Sequence, residues 1–182
     1  MQYIALLRGI NIIRKNKIPM AELKKEFETL GFENVITYLN SGNVIFTSNI
    51  QDENTITNTI HKMIEEKFKL DIPVFIIEAS KLKELLENQP EWWGTVSKEI
   101  YDNIIFIIPP TTYEEVHKAL GEPKQELEKI KEYKNNIFWS YSLKDYRKTN
   151  WWAKTANTSI SQSITIRTAN TMKKVLELCH KV

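Results

Sequence analysis

Four polar residues near the start of the chain are of the types that bind anions. Arg8 ends an apolar run, Asn11 follows in the next segment, and a basic loop carries Lys15 and Lys17. Arginine and lysine pair with phosphate and carboxylate groups, and the free backbone N–H groups at the start of a helix attract the same ligands. This pattern predicts a site for a small anion.

The predicted site draws on a second segment, which reverses the chain. Residues 40–43 read Asn-Ser-Gly-Asn between two short apolar strands, which is typical of a hairpin turn. Because the predicted strand, helix and strand alternate in direction, the basic loop and this turn come to the same end of a sheet. We therefore expect Ser41 and Asn43 beside the basic loop, with Arg167 as a further ligand from the second half of the chain.

A simpler interpretation of these residues stays open. Lys15 and Lys17 are also typical of a solvated loop, and asparagine, serine and glycine form turns for reasons of backbone conformation alone. The residue types by themselves do not separate a binding site from an ordinary turn.

Hydrophobic periodicity predicts an α+β protein of two ferredoxin-like modules. Residues 3–8 and 104–108 are predicted strands that are apolar on both faces, which is typical of the central strand of a sheet. The element order β-α-β-β-α-β, followed by a helix, occurs twice. We predict antiparallel or mixed sheets with helices on one face. The predicted segments are a first module at 1–88, a Trp-rich connection at 89–100 and a second module at 101–182.

Individual residues predict where elements begin and end. Pro19 suits a first helical turn and Gly31 a left-handed helix end. Asn135 and Asn136 are predicted to form a two-residue turn, because asparagine tolerates positive φ. A helix is predicted from Ser142 through Trp151. The predicted helix N-caps are Asp52, Ser80, Thr112 and Thr168.

Charge is distributed unevenly along the chain. Residues 1–122 carry 13 Lys and Arg against 18 Asp and Glu, whereas 123–182 carry 12 against 5, so the two parts have net charges of −5 and +7. A basic half with aromatic residues suits nucleic acid. It equally suits packing between two oppositely charged modules. Because helices can cover only one face of each double-sided apolar sheet, the other face is expected to meet the other module or the second subunit of a homodimer. We favour the tryptophans as core anchors, so nucleic acid is an alternative partner and not the leading one.

The sequence contains no catalytic motif. Residues 9–17 lack the second glycine and the Lys-Ser/Thr pair of a phosphate-binding P-loop. His61, His117 and His180 lie on separate predicted helices without metal-ligand spacing. Cys179, the single cysteine, lies on an apolar helix stripe and is predicted to be a buried, inert thiol. We expect no metal and no cofactor, and an enzyme acting on a small phosphorylated substrate stays a second alternative.

Hydropathy indicates a cytoplasmic protein. The apolar runs fall well short of the about 20 residues that a membrane-spanning helix needs. The chain opens on a core-like strand without the charged and apolar regions of a signal peptide. We expect no membrane association.

Several longer motifs resemble the bacterial family called domain of unknown function 1697. They are residues 6–11 (Leu-Leu-Arg-Gly-Ile-Asn), 15–17, 38–43 (Tyr-Leu-Asn-Ser-Gly-Asn), 92–93 (Trp-Trp) and 164–167 (Ile-Thr-Ile-Arg). The resemblance spans nearly the whole chain and implies a two-part α+β fold with ferredoxin-like halves and no established activity. Ile13 and Arg14 replace a glycine pair of the family, which disfavours a flexible phosphate loop. Thr168 replaces an asparagine and still suits a helix cap. The leading hypothesis is therefore a binding protein for a small phosphate- or carboxylate-bearing ligand.

Overall fold

The computed structural model describes residues 1–13 and 15–181, so Arg14 of the predicted basic loop lies outside the described residues. The first set of elements is β1 (Gln2–Leu7), α1 (Met20–Thr29), β2 (Glu33–Tyr38), β3 (Asn43–Thr47), α2 (Glu53–Phe68), β4 (Val74–Glu78) and α3 (Ala79–Glu87). The second set is β5 (Ile100–Ile107), α4 (Tyr113–Leu120), β6 (Glu128–Tyr133), β7 (Asn136–Ser142), α5 (Trp151–Asn157), β8 (Ile164–Thr168) and α6 (Ala169–Cys179).

The strands form two four-stranded sheets with the same topology. Their strand orders are β2-β3-β1-β4 and β6-β7-β5-β8, and neighbouring strands are antiparallel. Together with the element order, this arrangement is ferredoxin-like and confirms the predicted fold class. The predicted central strands are also confirmed: β1 and β5 lie inside their sheets, and residues 3–7 of β1 are fully buried.

Helices cover one face of each sheet through apolar side chains at helical spacing. In the first sheet Leu23 and Phe27 of α1 and Ile56, Ile60 and Ile64 of α2 join a core cluster with residues of β1, β3 and β4. In the second sheet, residues of α4 and α5 pack in a cluster with β5, β7 and β8. The members of that second cluster that come from helices are Val116, Leu120 and Trp151.

Three predicted N-caps are confirmed. The Asp52 carboxylate accepts a hydrogen bond from the Thr55 amide at 2.8 Å at the start of α2. Thr112 and Glu115 form a reciprocal capping box at α4. Thr168 accepts from the amide three residues ahead, at 3.2 Å, at the start of α6. Local side-chain chemistry therefore sets these helix starts.

The predicted cap at Ser80 is wrong. Helix α3 begins at Ala79, directly after β4, so Ser80 already lies inside the helix. Its hydroxyl donates to the Glu78 carboxylate at 3.0 Å instead of accepting from a backbone amide.

The second hairpin turns one residue earlier than predicted. Lys134 and Asn135 have φ values of 46° and 60°, whereas Asn136 is the first residue of β7 and pairs with Tyr133. Asn136 instead donates from Nδ2 to the Lys134 carbonyl at 2.9 Å. The lysine takes the left-handed position because the second asparagine is held in the strand.

The helix predicted from Ser142 through Trp151 is also wrong. This segment contains a single 3₁₀ turn, Tyr146–Lys148, and α5 begins at Trp151. The buried Glu128 carboxylate accepts from the Asn150 amide at 2.6 Å, which fixes the start of α5 at this point.

The chain divides into two compact units. One is Met1–Glu84 with the segment that begins at Lys174, and the other is Leu85–Lys173. The module limits 1–88, 89–100 and 101–182 and the homodimer stay predictions. No described helix has both the length and the apolar composition needed to cross a bilayer.

Candidate functional site

The end of β1 is the place where the predicted site residues gather. Leu6 pairs with Asn43, and the Leu7 amide donates to the Gly42 carbonyl at 2.8 Å, so the β2–β3 turn lies against the end of β1. The loop of residues 8–19 leaves the sheet at this same end and leads into α1. The register thus brings the loop and the turn into one neighbourhood.

Asn11 ties the loop to the turn. Its side-chain Nδ2 donates to the carbonyls of Ile18 and Asn40, both at 2.9 Å, and its Oδ1 accepts from the Ile18 amide at 2.8 Å. Its backbone has a φ of 52°, a value that asparagine tolerates better than most residues. The side-chain amide of Asn11 therefore hydrogen-bonds to backbone groups, and Asn11 acts by positioning the loop.

A pocket of about 360 Å³, here called the loop pocket, opens between this loop and the start of α1. Lys15 and Lys17 are exposed at its wall, and neither makes an ion pair with a described residue. Its described lining residues are Asn11, Ile12, Lys15, Lys17, Ile18, Pro19, Met20 and Asn40. Among these residues, two are cationic and none is a carboxylate.

The helix start adds a second positive element to the loop pocket. Pro19 stands at the N-cap of α1 with extended backbone (φ −62°, ψ 125°) and gives no side-chain hydrogen bond to the first turn. The N-terminal amides of a helix carry partial positive charge. Pro19 and Met20 line the loop pocket, so the start of α1 lies beside it.

Ser41, Asn43 and Arg8 are not among the residues that line the loop pocket. Asn43 is fully buried and donates from Nδ2 to the Tyr38 carbonyl at 2.8 Å and to the Ser41 hydroxyl oxygen at 3.1 Å. Arg8 is half-buried, and this burial lowers the pKa of its guanidinium below the ordinary value. The hydrogen bonds of Asn43 to Tyr38 and Ser41 therefore stabilise the β2–β3 turn.

Arg167 lies in the other unit, in strand β8. It is buried, and its Nη1 donates to the Thr165 hydroxyl and to the Ile166 carbonyl, both at 2.9 Å. The lining of the loop pocket does not include it. Its contribution to ligand binding stays a prediction.

The sequence did not point to the apolar part of the loop pocket. Ile12, Ile18 and Met20 form this wall, and Asn40 contributes from the turn. Ile18 is buried although it stands among polar loop residues, because Asn11 holds both its amide and its carbonyl. The one available signal was an apolar residue between a lysine and a proline, which is too weak to predict a pocket wall.

The described residues offer little for catalysis. No group of three or more His, Cys, Asp and Glu residues among them could hold a metal ion. His61 instead bonds Asp71 at 2.9 Å on the surface. Burial raises the pKa of the Cys179 thiol to about 11, in keeping with the predicted inert cysteine. Among the described residues, no carboxylate, imidazole or thiol lines the loop pocket.

Three of the five tryptophans are core residues, as the leading interpretation predicted. Trp93, Trp139 and Trp151 are buried, and the Trp93 indole donates to the Asn103 carbonyl at 2.7 Å. Trp152 is 40% exposed and packs edge-to-face on Tyr146, with ring centroids 4.6 Å apart.

Comparison with known proteins agrees with the fold. Among solved structures, that of the conserved bacterial protein SP0830 from Streptococcus pneumoniae is similar, with a TM-score of 0.85 and 28% sequence identity, and the match covers 98% of each chain. No curated protein matches the chain. A family model described as a protein of unknown function, DUF1697, matches residues 1–138. The chain therefore belongs to the DUF1697 family of proteins of unknown function.

Proposed function

We propose that the protein binds a small anionic ligand in the loop pocket, and that this ligand carries a phosphate or carboxylate on an organic body. The observation that carries the proposal is the pair of exposed lysines, Lys15 and Lys17, in a lining whose described residues include no carboxylate. Two ammonium groups without a described acidic partner leave positive charge for a ligand to neutralise.

The order of the loop supports this proposal. Asn16 donates from Nδ2 to the Gly9 carbonyl at 2.9 Å, and the Lys15 amide donates to the Ile12 carbonyl at 2.7 Å. With the three hydrogen bonds of Asn11, these contacts restrain the described residues on either side of Lys15 and Lys17. A preorganised loop loses less conformational entropy on binding than a mobile one.

The apolar wall indicates what else the ligand contains. Ile12, Ile18 and Met20 lie beside the lysines, so the loop pocket joins a polar mouth to an apolar surface. A bare inorganic ion would leave this surface in water. An organic phosphate or carboxylate would cover it and gain from apolar burial.

The proposal predicts that phenyl phosphate binds with measurable amide shifts at residues 15–20. The double variant Lys15→Gln/Lys17→Gln is expected to weaken this binding at least about tenfold, because both attractive charges are lost. The measurement is a two-dimensional amide NMR titration at low salt. Lys24→Gln/Lys25→Gln on α1 is the control: it removes the same charge outside the pocket lining and is expected to change the affinity less than about twofold. Equal affinities for the two double variants would contradict the proposal.

The two alternatives stay predictions. A nucleic-acid partner would use the basic residues 123–182, and steep salt elution from a single-stranded DNA column would favour it. An enzyme acting on a phosphorylated substrate needs an acid or base beside the reacting group. The described lining of the loop pocket supplies no carboxylate or imidazole for this role.

A further inference from the structure

The basic loop carries two exposed isoleucines on a small hairpin. Ile12 and Lys15 form an antiparallel bridge, in which the Lys15 amide donates to the Ile12 carbonyl at 2.7 Å. The Asn11 amide donates to the Asn16 carbonyl at 2.9 Å, so Ile13 lies in a chain reversal between paired residues. Ile12 is 58% exposed and Ile13 is 88% exposed. Most of both side chains is therefore in contact with water.

A third exposed apolar residue belongs to the adjoining turn. Leu39 is 51% exposed and has a φ of 57°, a backbone conformation that is rare for a residue of its size. It directly precedes Asn40, whose carbonyl accepts from Asn11 Nδ2 at 2.9 Å, so the β2–β3 turn adjoins the hairpin of residues 11–16. Single exposed apolar residues are ordinary, whereas a group of them marks an interaction surface. Ile12, Ile13 and Leu39 are here called the apolar tip.

The two segments that form the apolar tip are free of acidic residues. Residues 1–21 contain four Arg and Lys residues and no Asp or Glu, and residues 34–51 contain no charged residue. Lys15 and Lys17 are exposed and make no ion pair with a described residue. A partner that fits this surface carries negative charge and also accepts apolar side chains.

We propose that the apolar tip and its two lysines dock the protein on the surface of an anionic lipid bilayer. The isoleucines enter the boundary between headgroups and acyl chains, and Lys15 and Lys17 pair with lipid phosphates. A bilayer fits better than a folded protein partner, because Ile13 stands on a chain reversal with nearly its whole surface in water. A fluid lipid surface accepts such a residue without a matching cavity.

The expectation of no membrane association rests on the length of the apolar runs and therefore concerns spanning helices. Docking at the headgroup level depends on buried apolar area and on attraction to anionic lipids, and needs no long apolar run.

This inference rests in part on the proposed function, because Lys15 and Lys17 serve both. Ile13 separates the two roles, since it belongs to the apolar tip and is not among the described residues that line the loop pocket. Its exposure also makes a substitution there harmless to folding.

The test measures co-sedimentation of the protein with two kinds of lipid vesicle at low salt. One contains equal parts of phosphatidylglycerol and phosphatidylcholine, and the other contains phosphatidylcholine alone. We expect at least about tenfold tighter binding to the anionic vesicles, and a loss of about tenfold in that binding for Lys15→Gln/Lys17→Gln. Equal binding to both vesicles, or no binding to the anionic ones at millimolar lipid, would overturn the proposal.

Ile13→Ser tests whether apolar insertion contributes beyond charge. We expect it to bind the anionic vesicles at least about fivefold more weakly than wild type, because the serine gains little on leaving water. Val96→Ser is the matched control: it removes another exposed β-branched side chain, in the other compact unit, and should stay within about twofold of wild type. Ile13→Ser binding as tightly as Val96→Ser would overturn the proposal.

A phenyl phosphate titration of the same proteins separates docking from the loop pocket. Ile13→Ser should bind phenyl phosphate within about twofold of wild type, since the two lysines are unchanged. Loss of both interactions in this variant would contradict a separate docking role. Wild-type protein that binds phenyl phosphate but no vesicles would contradict docking alone, whereas the reverse result would support docking and contradict the anion pocket.

Discussion

Replacing Glu128 by leucine is expected to lower the free energy of unfolding by about 3–5 kcal/mol. Four N–H groups converge on this carboxylate: the amides of Lys124 at 3.1 Å, Asn150 at 2.6 Å and Trp151 at 3.4 Å, and the Trp139 indole at 3.1 Å. Leucine fills a similar volume and accepts no hydrogen bond. The donors would then be buried without partners, and the start of α5 would lose its anchor.

The measurement is urea unfolding followed by tryptophan fluorescence, which reports on this region because every tryptophan lies at residue 92 or beyond. Glu128→Gln keeps one oxygen and places an NH₂ group against other donors, so an intermediate loss of about 2 kcal/mol is expected. Glu126→Ala, at an exposed neighbouring position, is the control and should lie within about 0.5 kcal/mol of wild type. A Glu128→Leu protein as stable as the control would contradict the anchoring role.

Gly42→Ala is expected to cost about 3 kcal/mol of stability, the second large effect. Gly42 has a φ of 79°, and a Cβ at this position would lie 2.8 Å from both Leu7 Cβ and Ile10 Cδ1. Leu7 is fully buried in β1, so its Cβ has no room to move. The alanine would push the turn away from the end of β1, where the loop pocket forms.

Gly31→Ala separates steric overlap from backbone strain. Gly31 has a similar φ of 86°, but a Cβ there would meet nothing within 4 Å. Only the cost of a left-handed alanine remains, about 1–2 kcal/mol. Thermal unfolding followed by circular dichroism compares the two variants. Equal losses would show that the contacts of Gly42 with Leu7 and Ile10 do not matter.

Local chemistry made much of the fold predictable from the sequence. The double-sided apolar strand at residues 3–8 identified the centre of the first sheet, and Asp52, Thr112 and Thr168 marked helix starts by a side-chain oxygen within the next turn. These signals act over three or four residues, so the sequence contains them in full. The repeated element order then favoured a single topology, the ferredoxin-like one.

The failures involve distant partners. The start of α5 depends on Glu128, 22 residues before Asn150, and no periodicity within residues 142–151 carries that information. The second hairpin turns at Lys134 because Asn136 is held in the strand by pairing with Tyr133. Where a long-range contact decides between two acceptable local conformations, the neighbouring residues in the sequence do not predict which of the two is adopted.

The candidate site was partly predictable for the same reason. Lys15, Lys17 and Asn11 were visible as residue types, and each lines the loop pocket. Nothing in the sequence indicated that the side-chain amides of Asn11 and Asn43 would hydrogen-bond to backbone carbonyls. The burial of Ile18 was not indicated either.

The most direct test of the anion-binding proposal is native mass spectrometry of the gently purified protein. Three proteins are compared: wild type, Lys15→Gln/Lys17→Gln in the loop pocket, and Lys24→Gln/Lys25→Gln on α1. The account predicts a co-purified anionic molecule on the wild type and on the α1 variant, and its absence from the loop-pocket variant. An adduct that persists without Lys15 and Lys17, or a bare chain mass in all three proteins, would contradict it.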